Sequence, residues 1–239
     1  MEMPLQHQIM GYDRVASMFS PDGRLLQVEY AEKMVKKGFA SIGMICSDGV
    51  LIVATRKNYD KLSLPETVKI FEVDSHIAAT GAGMLSDARV LIDRAQLFAQ
   101  QHRVTYDESI DVESIVKEIA DLKQMVTQFG GARPFGVFLI IIGVNTSGER
   151  KLYITDVAGN YSAYKATAIG ESDLEIKEEL EKAYKDDITI EDGIKLCLSI
   201  LQKVQKKQFD VRRIEAAYIK SKDMQFSRVN FDSLKKYSK

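Results

Sequence analysis

The stretch FASIGMICSDGVLIVAT, residues 39–55, sets how the rest of the chain is read. Two apolar runs, Phe39–Cys46 and Val50–Thr55, flank Ser47-Asp48-Gly49. β-Branched residues favour an extended backbone. Asp-Gly between two such runs is a strong hairpin signal. A second pair, Lys69–Val73 and His76–Thr80, repeats the pattern around Asp74-Ser75. Four strands in succession with no helix between them do not make parallel neighbours, which need a crossover connection.

Before the first hairpin, Ser20-Pro21-Asp22-Gly23 is turn chemistry. Leu25, Leu26, Val28, Tyr30, Ala31, Met34 and Val35 then recur at helical spacing, which predicts a helix over 24–36. Lys36-Lys37-Gly38 ends it with cations and a C′ glycine. After the second hairpin, Gly81-Ala82-Gly83 leads into a helix capped by Ser86 or Asp87. Asp111 opens another helix, with Ile115, Ile119, Leu122 and Val126 on one stripe and Gly130-Gly131 at its end. Phe135–Val144 reads as a central strand, followed by strands at 151–156, 161–164 and 166–169. Ser172-Asp-Leu-Glu175 is a capping box and Thr189-Ile-Glu-Asp192 resembles one. They start helices near 172–184 and 189–206, and strands at 214–219 and 225–228 close the chain. Strands and helices come in blocks, so the expected class is α+β, antiparallel sheets packed together and covered by helix pairs. No linker or repeat divides residues 1–239, which predicts a single domain.

The composition excludes several functions. Lys+Arg 33 against Asp+Glu 34 gives a net charge of -1, unlike a dedicated nucleic-acid or anionic-membrane binder. Cys46 and Cys197 lie far apart, and with His7, His76 and His102 they form no zinc signature, so neither metal nor cofactor is expected. The two thiols read as buried and reduced. The apolar run 135–144 is too short to span a bilayer, and Met1–Gln8 lacks the apolar stretch of a signal peptide, so a cytoplasmic protein is expected. Gly81-Ala82-Gly83-Met84-Leu85-Ser86 looks like a dinucleotide fingerprint, but its sixth residue is Ser and hairpins precede it. Its helix start could still hold another anion.

Read together, several segments closely resemble the α subunits of the proteasome core particle. They are Tyr12-Asp13-Arg14, Phe19-Ser20-Pro21-Asp22-Gly23-Arg24-Leu25, Gln27-Val28-Glu29-Tyr30-Ala31 and Lys36-Lys37-Gly38. Ser86-Asp87-Ala88-Arg89, Gly131-Ala132-Arg133-Pro134-Phe135-Gly136-Val137 and Tyr164-Lys165-Ala166-Thr167-Ala168-Ile169-Gly170 extend the match. Its style is similar to archaeal versions. The resemblance implies a four-layer αββα sandwich with an extra N-terminal helix. It also implies seven-membered rings stacked on rings of catalytic β subunits.

Those β relatives are N-terminal nucleophile hydrolases whose propeptide is cut before Thr, usually after Gly. Alignment of Ser41-Ile42-Gly43 with their first strand places Phe39 near the nucleophile and Thr55 near the base. None of the 15 glycines is followed by Thr, Ser or Cys. The expectation is a non-catalytic chain; the alternative is a hydrolase active in its own right. The resemblance implies that residues 1–12 form a flexible gate over an axial pore. Tyr12, Asp13, Arg14, Pro21 and Tyr30 hold its open form, and Gly130, Gly131, Ala132 and Arg133 line the pore beneath. Leu25 and Val28 are expected at the ring contact. An activating AAA ATPase would dock its C-terminal tail between subunits, with its carboxylate on Lys69, close approach at Gly83 and Glu29 passing the signal to the gate. Unfolded proteins would be the cargo.

Overall fold

Period-two alternation in the first hairpin, with both faces apolar, requires a layer on each side of it. The computed structural model, which describes residues 11, 14–57 and 68–237, supplies both layers. Helix α1 (Leu26–Val35) precedes strands β1 (Ser41–Cys46), β2 (Gly49–Thr55), β3 (Ile70–Asp74) and β4 (Ile77–Gly83). Helices α2 (Leu85–Tyr106) and α3 (Val112–Gln128) follow. Next come β5 (Val137–Val144), β6 (Arg150–Thr155), β7 (Tyr161–Ala163) and β8 (Ala166–Ile169). Helices α4 (Asp173–Ala183) and α5 (Ile190–Gln205), strands β9 (Ile214–Lys220) and β10 (Phe226–Arg228), and helix α6 (Phe231–Tyr237) complete the order. The strands form two five-stranded antiparallel sheets, β10-β9-β2-β1-β8 and β3-β4-β5-β6-β7.

Three apolar clusters separate four layers. Val50, Ile52 and Ala54 of β2 meet Ile140, Ile142 and Val144 of β5 between the sheets. Leu51 and Val53, on the opposite face of β2, pack with Ile194, Cys197 and Leu201 of α5. The outer face of the second sheet, through Ala79, Leu139 and Ile141, packs on Leu91 and Ala95 of α2 and Ile115 and Ile119 of α3. The expected αββα sandwich is therefore the observed one.

Local details depart from expectation for physical reasons. The first hairpin turns on Ser47-Asp48 alone, because Cys46 pairs directly with Gly49. Asp48 is recruited elsewhere: its carboxylate accepts the Ile190 amide at 2.8 Å. Strand β4 runs through Gly83, so Gly81–Gly83 pairs with β5 before the chain enters the helix. Helix α2 then starts at Leu85, which puts Ser86 and Asp87 inside its first turn, not at its cap. Thr189 does cap α5, accepting the Asp192 amide at 3.2 Å, whereas Ser172 adopts φ 55° and makes no side-chain cap bond. The short helix α6 escapes the periodicity reading, although Asn230 caps it by accepting the Ser233 amide at 2.8 Å.

Gly38 does not take the left-handed C′ conformation expected of it. Its lack of a side chain is needed for close approach: a Cβ there would lie 2.2 Å from the Gly83 nitrogen. Gly83 has φ +115°, and its own Cβ would lie 2.2 Å from the Gly136 oxygen. Three backbones thus cross where the end of α1, the end of β4 and the start of β5 converge. Gly83→Ala should lower the unfolding free energy by more than about 2 kcal/mol, since left-handed strain alone costs ~1–2 kcal/mol. Gly148→Ala, with φ +84° and open space around it, should cost only that strain. Denaturant midpoints of the two variants check the ordering.

Candidate functional site

The segment between α1 and β1 gathers the candidate residues. Lys69, just before β3, is 3% exposed. Its ammonium turns inward and donates to the carbonyls of Phe39, Ala40 (3.2 Å) and Thr55 (3.1 Å). The Lys69 amide donates to Glu215 Oε2 at 2.9 Å, and the Thr80 hydroxyl donates to the Lys69 carbonyl at 2.9 Å. Arg228 pairs with the other oxygen of Glu215 and donates to the Ile70 carbonyl at 2.7 Å. Burial pushes the Lys69 pKa down to about 7, against the opposing pull of Glu171 and Glu215. Among the described residues the cation is held by carbonyl dipoles with no carboxylate on its nitrogen, which compensates it only in part.

The side chain at the expected nucleophile position is the phenyl ring of Phe39, and the Arg213 guanidinium lies 5.3 Å from its centroid. Arg213 is fixed by donating to the Arg56 and Gln208 carbonyls, each at 3.1 Å. Thr55, at the expected base position, is fully buried and accepts from the Gln205 amide at 3.1 Å.

Gly83 reaches the same segment from the other side, against Gly38, whose carbonyl accepts the Glu171 amide at 2.7 Å. Lys69 and Gly83 therefore flank residues 38–40. The space above Gly83 is taken by this chain's own Gly136, so its missing side chain already serves the fold.

Glu29 lies in the first turn of α1 and pairs with Arg24, an exposed ion pair. The Ser20–Arg24 turn that carries Pro21 is closed by Ser20 N to Arg24 O (2.9 Å) and Arg24 N to Ser20 Oγ (3.2 Å). The Lys33 ammonium lies 5.4 Å over the Tyr30 ring. The Arg14 amide donates to the Gly11 carbonyl at 3.1 Å. Tyr12, Asp13 and residues 1–10 lie outside the described residues. Val28 is 8% exposed and packs in the inter-sheet core, with Leu25 partly buried against it. Val28 is thus buried in the chain's own core and Leu25 partly so, while Met34 of the same helix is exposed.

Gly130, Gly131, Ala132 and Arg133 form the connection from α3 to β5. A Cβ at either glycine would meet nothing within 4 Å. Arg133 does not project freely; both its terminal nitrogens donate to Asp87, at 2.6 and 2.8 Å. Sequence reasoning missed this role of Asp87, and it missed Lys123. The buried face of α3 carries Ile115, Ile119, Lys123 and Thr127, rotated from the expected Leu122 and Val126. Lys123 Nζ donates to Val137 O (3.0 Å), Thr155 O (3.2 Å) and Thr155 Oγ1 (2.8 Å). A lysine four residues beyond Ile119 on an apolar stripe was the available signal.

Burial pushes the Lys123 pKa down to about 7, from 10.5 when unfolded. The unfolded chain then holds more protons between these values, so stability rises as pH climbs from about 7 toward 10 and is flat below. Lys69 adds an equal rise, so Lys123→Met should reduce the slope by about half, while costing about 1–3 kcal/mol at pH 7 through its unsatisfied acceptors. Thermal unfolding across this pH range measures both effects.

The comparisons with known proteins agree with this architecture. The family described as proteasome subunit matches residues 35–219, and the N-terminal signature of the alpha-type proteasome subunits matches residues 12–33. The chain is 46% identical to a protein named proteasome subunit alpha from Pyrococcus horikoshii, over 95% of this chain and 86% of that one. It is 45% identical to its namesake from Archaeoglobus fulgidus, over 95% of this chain and 92% of that one. For Methanocaldococcus jannaschii the identity is 44%, covering 94% and 86%.

Proposed function

The chain belongs to the proteasome α-subunit family, and on that footing we propose that it is a non-catalytic member of the outer ring of a protease core particle. It assembles with itself into a seven-membered ring, stacks on β subunits, gates the entry of unfolded proteins and receives an activating AAA ATPase in the cytoplasm. One observation carries the non-catalytic reading. The position of the nucleophile holds Phe39, stacked under Arg213, and the neighbouring carbonyls are committed to Lys69. The archaeal source of the similar proteins supports a simple ring of like subunits. Among the described residues no helix is long and apolar enough to cross a membrane. The isolated chain is expected to hydrolyse no peptide; turnover blocked by a threonine-directed covalent inhibitor would make it an enzyme in its own right.

The gate is assigned to residues 1–12, with Tyr12, Asp13, Arg14, Pro21 and Tyr30 as the cluster of the open form. The closed Ser20–Arg24 turn, which carries Pro21, supports this reading. Deletion of residues 2–12 should speed hydrolysis of long unfolded chains by assembled particles, and change short-peptide turnover less. Equal rates in deleted and intact particles would remove the gate.

Lys69 is proposed to receive the tail carboxylate of the ATPase. The site supports this because its cation is under-compensated and because Lys69 and Gly83 flank one segment. The ammonium must leave its carbonyls to reach a carboxylate, so docking would loosen residues 38–40 at the end of α1. Glu29, in the first turn of that helix and paired with Arg24, would pass the change toward Pro21. Lys69→Met, which keeps the aliphatic stem, should abolish ATPase-stimulated degradation with rings still assembled. Loss of a desolvated charge partner costs on the order of 2–5 kcal/mol of binding. Wild-type stimulation in that variant would place the carboxylate elsewhere.

A further inference from the structure

The first half of the segment from Phe129 to Gly136 has little packing of its own, whereas Pro134 is buried and Phe135 packs on the outer apolar cluster. Gly130 and Gly131 face open space, Gly131 has φ +89°, and Phe129 is 57% exposed. Its conformation must therefore be set from its ends. At the C-terminal end, the buried carboxylate of Asp87 takes Arg133 Nη1 on Oδ2 (2.6 Å) and Arg133 Nη2 on Oδ1 (2.8 Å). The same Oδ2 accepts the Gly136 amide at 2.9 Å. Arg133 is further aligned by donating to the Pro134 carbonyl (3.0 Å) and toward Met84 Sδ (3.2 Å). From the other face, Lys123 holds the next carbonyl, that of Val137. A two-pronged arginine–carboxylate pair fixes direction as well as distance, which one ion contact does not.

We infer that Asp87 is the positioning residue for this connection, setting the width of the passage through Arg133 and Gly136. The inference rests on the reading of residues 130–133 as pore lining and adds to it the residue that holds them. Asp87 sits in the first turn of α2, a rigid 22-residue helix. Beside the buried Pro134 and the packed Phe135, the pair ties the exposed glycines to this helix, and a chain pressing on them would work against Arg133. The Arg133 guanidinium and the Gly136 amide hold the Asp87 carboxyl below the usual carboxylate range, so the clasp stays charged at neutral pH.

The test uses the full chain alone and assembled with β subunits. Asp87→Asn removes the charge but leaves an oxygen for the Gly136 amide; Asp87→Glu keeps the charge with a longer reach. Hydrogen exchange of the 129–136 peptide should quicken on the order of 10- to 100-fold in Asp87→Asn, the equivalent of losing a charged hydrogen bond. The β1–β2 hairpin should keep its protection, and Asp87→Glu should recover part of the loss. Arg133→Gln added to Asp87→Asn should add little, as expected of partners. In assembled particles, Asp87→Asn should raise degradation of an unfolded protein relative to a short peptide. Unchanged exchange in 129–136 would overturn the positioning role. Faster exchange with an unchanged degradation ratio would overturn the control of passage, and with it the pore reading of the loop.

Discussion

Every residue of β2 is buried, because the strand lies between a second sheet on one face and a helix on the other. This double coverage governs the arrangement of every other layer. A strand with two apolar faces needs a sheet partner carrying the same pattern, and β5 provides one. Each sheet then presents an outer apolar face, and α2–α3 on one side and α4–α5 on the other cover them. Helix α1 has no sheet face left to cover. It lies at an edge of the sandwich, where Val28 and Val35 reach the inter-sheet core.

The strand ends hold the chemistry. Backbone polar groups leave their ladders there and must find other partners. The carbonyls of Phe39, Ala40 and Thr55 find the Lys69 ammonium, and those of Val137 and Thr155 find Lys123. Two lysines therefore play the same part at two places, each satisfying carbonyls at the cost of burying a charge. Around Lys69 that charge sits beside Phe39, whose ring lies under the Arg213 guanidinium.

Resemblance and physics contributed differently to the site. The motifs marked Lys69, Gly83 and Arg133 as residues of interest but did not say which way they point. Lys69 turns inward, Gly83 is required by Gly136, and Arg133 is held by Asp87. Each partner is distant in sequence: 46 residues separate Asp87 from Arg133. Spacing rules register neighbours within a turn or a hairpin, so they are silent on such pairs. The same silence explains the missed position of Lys123, whose acceptors belong to β5 and β6 rather than to its own helix.

Element types, their block order and the α+β class were legible in the residues themselves, and the four-layer αββα order followed from the resemblance. Those depend on local periodicity, turn residues and the need to cover apolar faces. The hairpin at 39–55, the helix pairs and the Thr189 cap could be read for that reason. The glycine crossing of residues 38, 83 and 136, the inward turn of Lys69, and the clasp of Asp87 on Arg133 came from tertiary packing. So did the place of Val28 in the subunit's own core. These outcomes depend on which distant backbones approach within a few ångströms, a consequence of how the two sheets pack that no local pattern encodes.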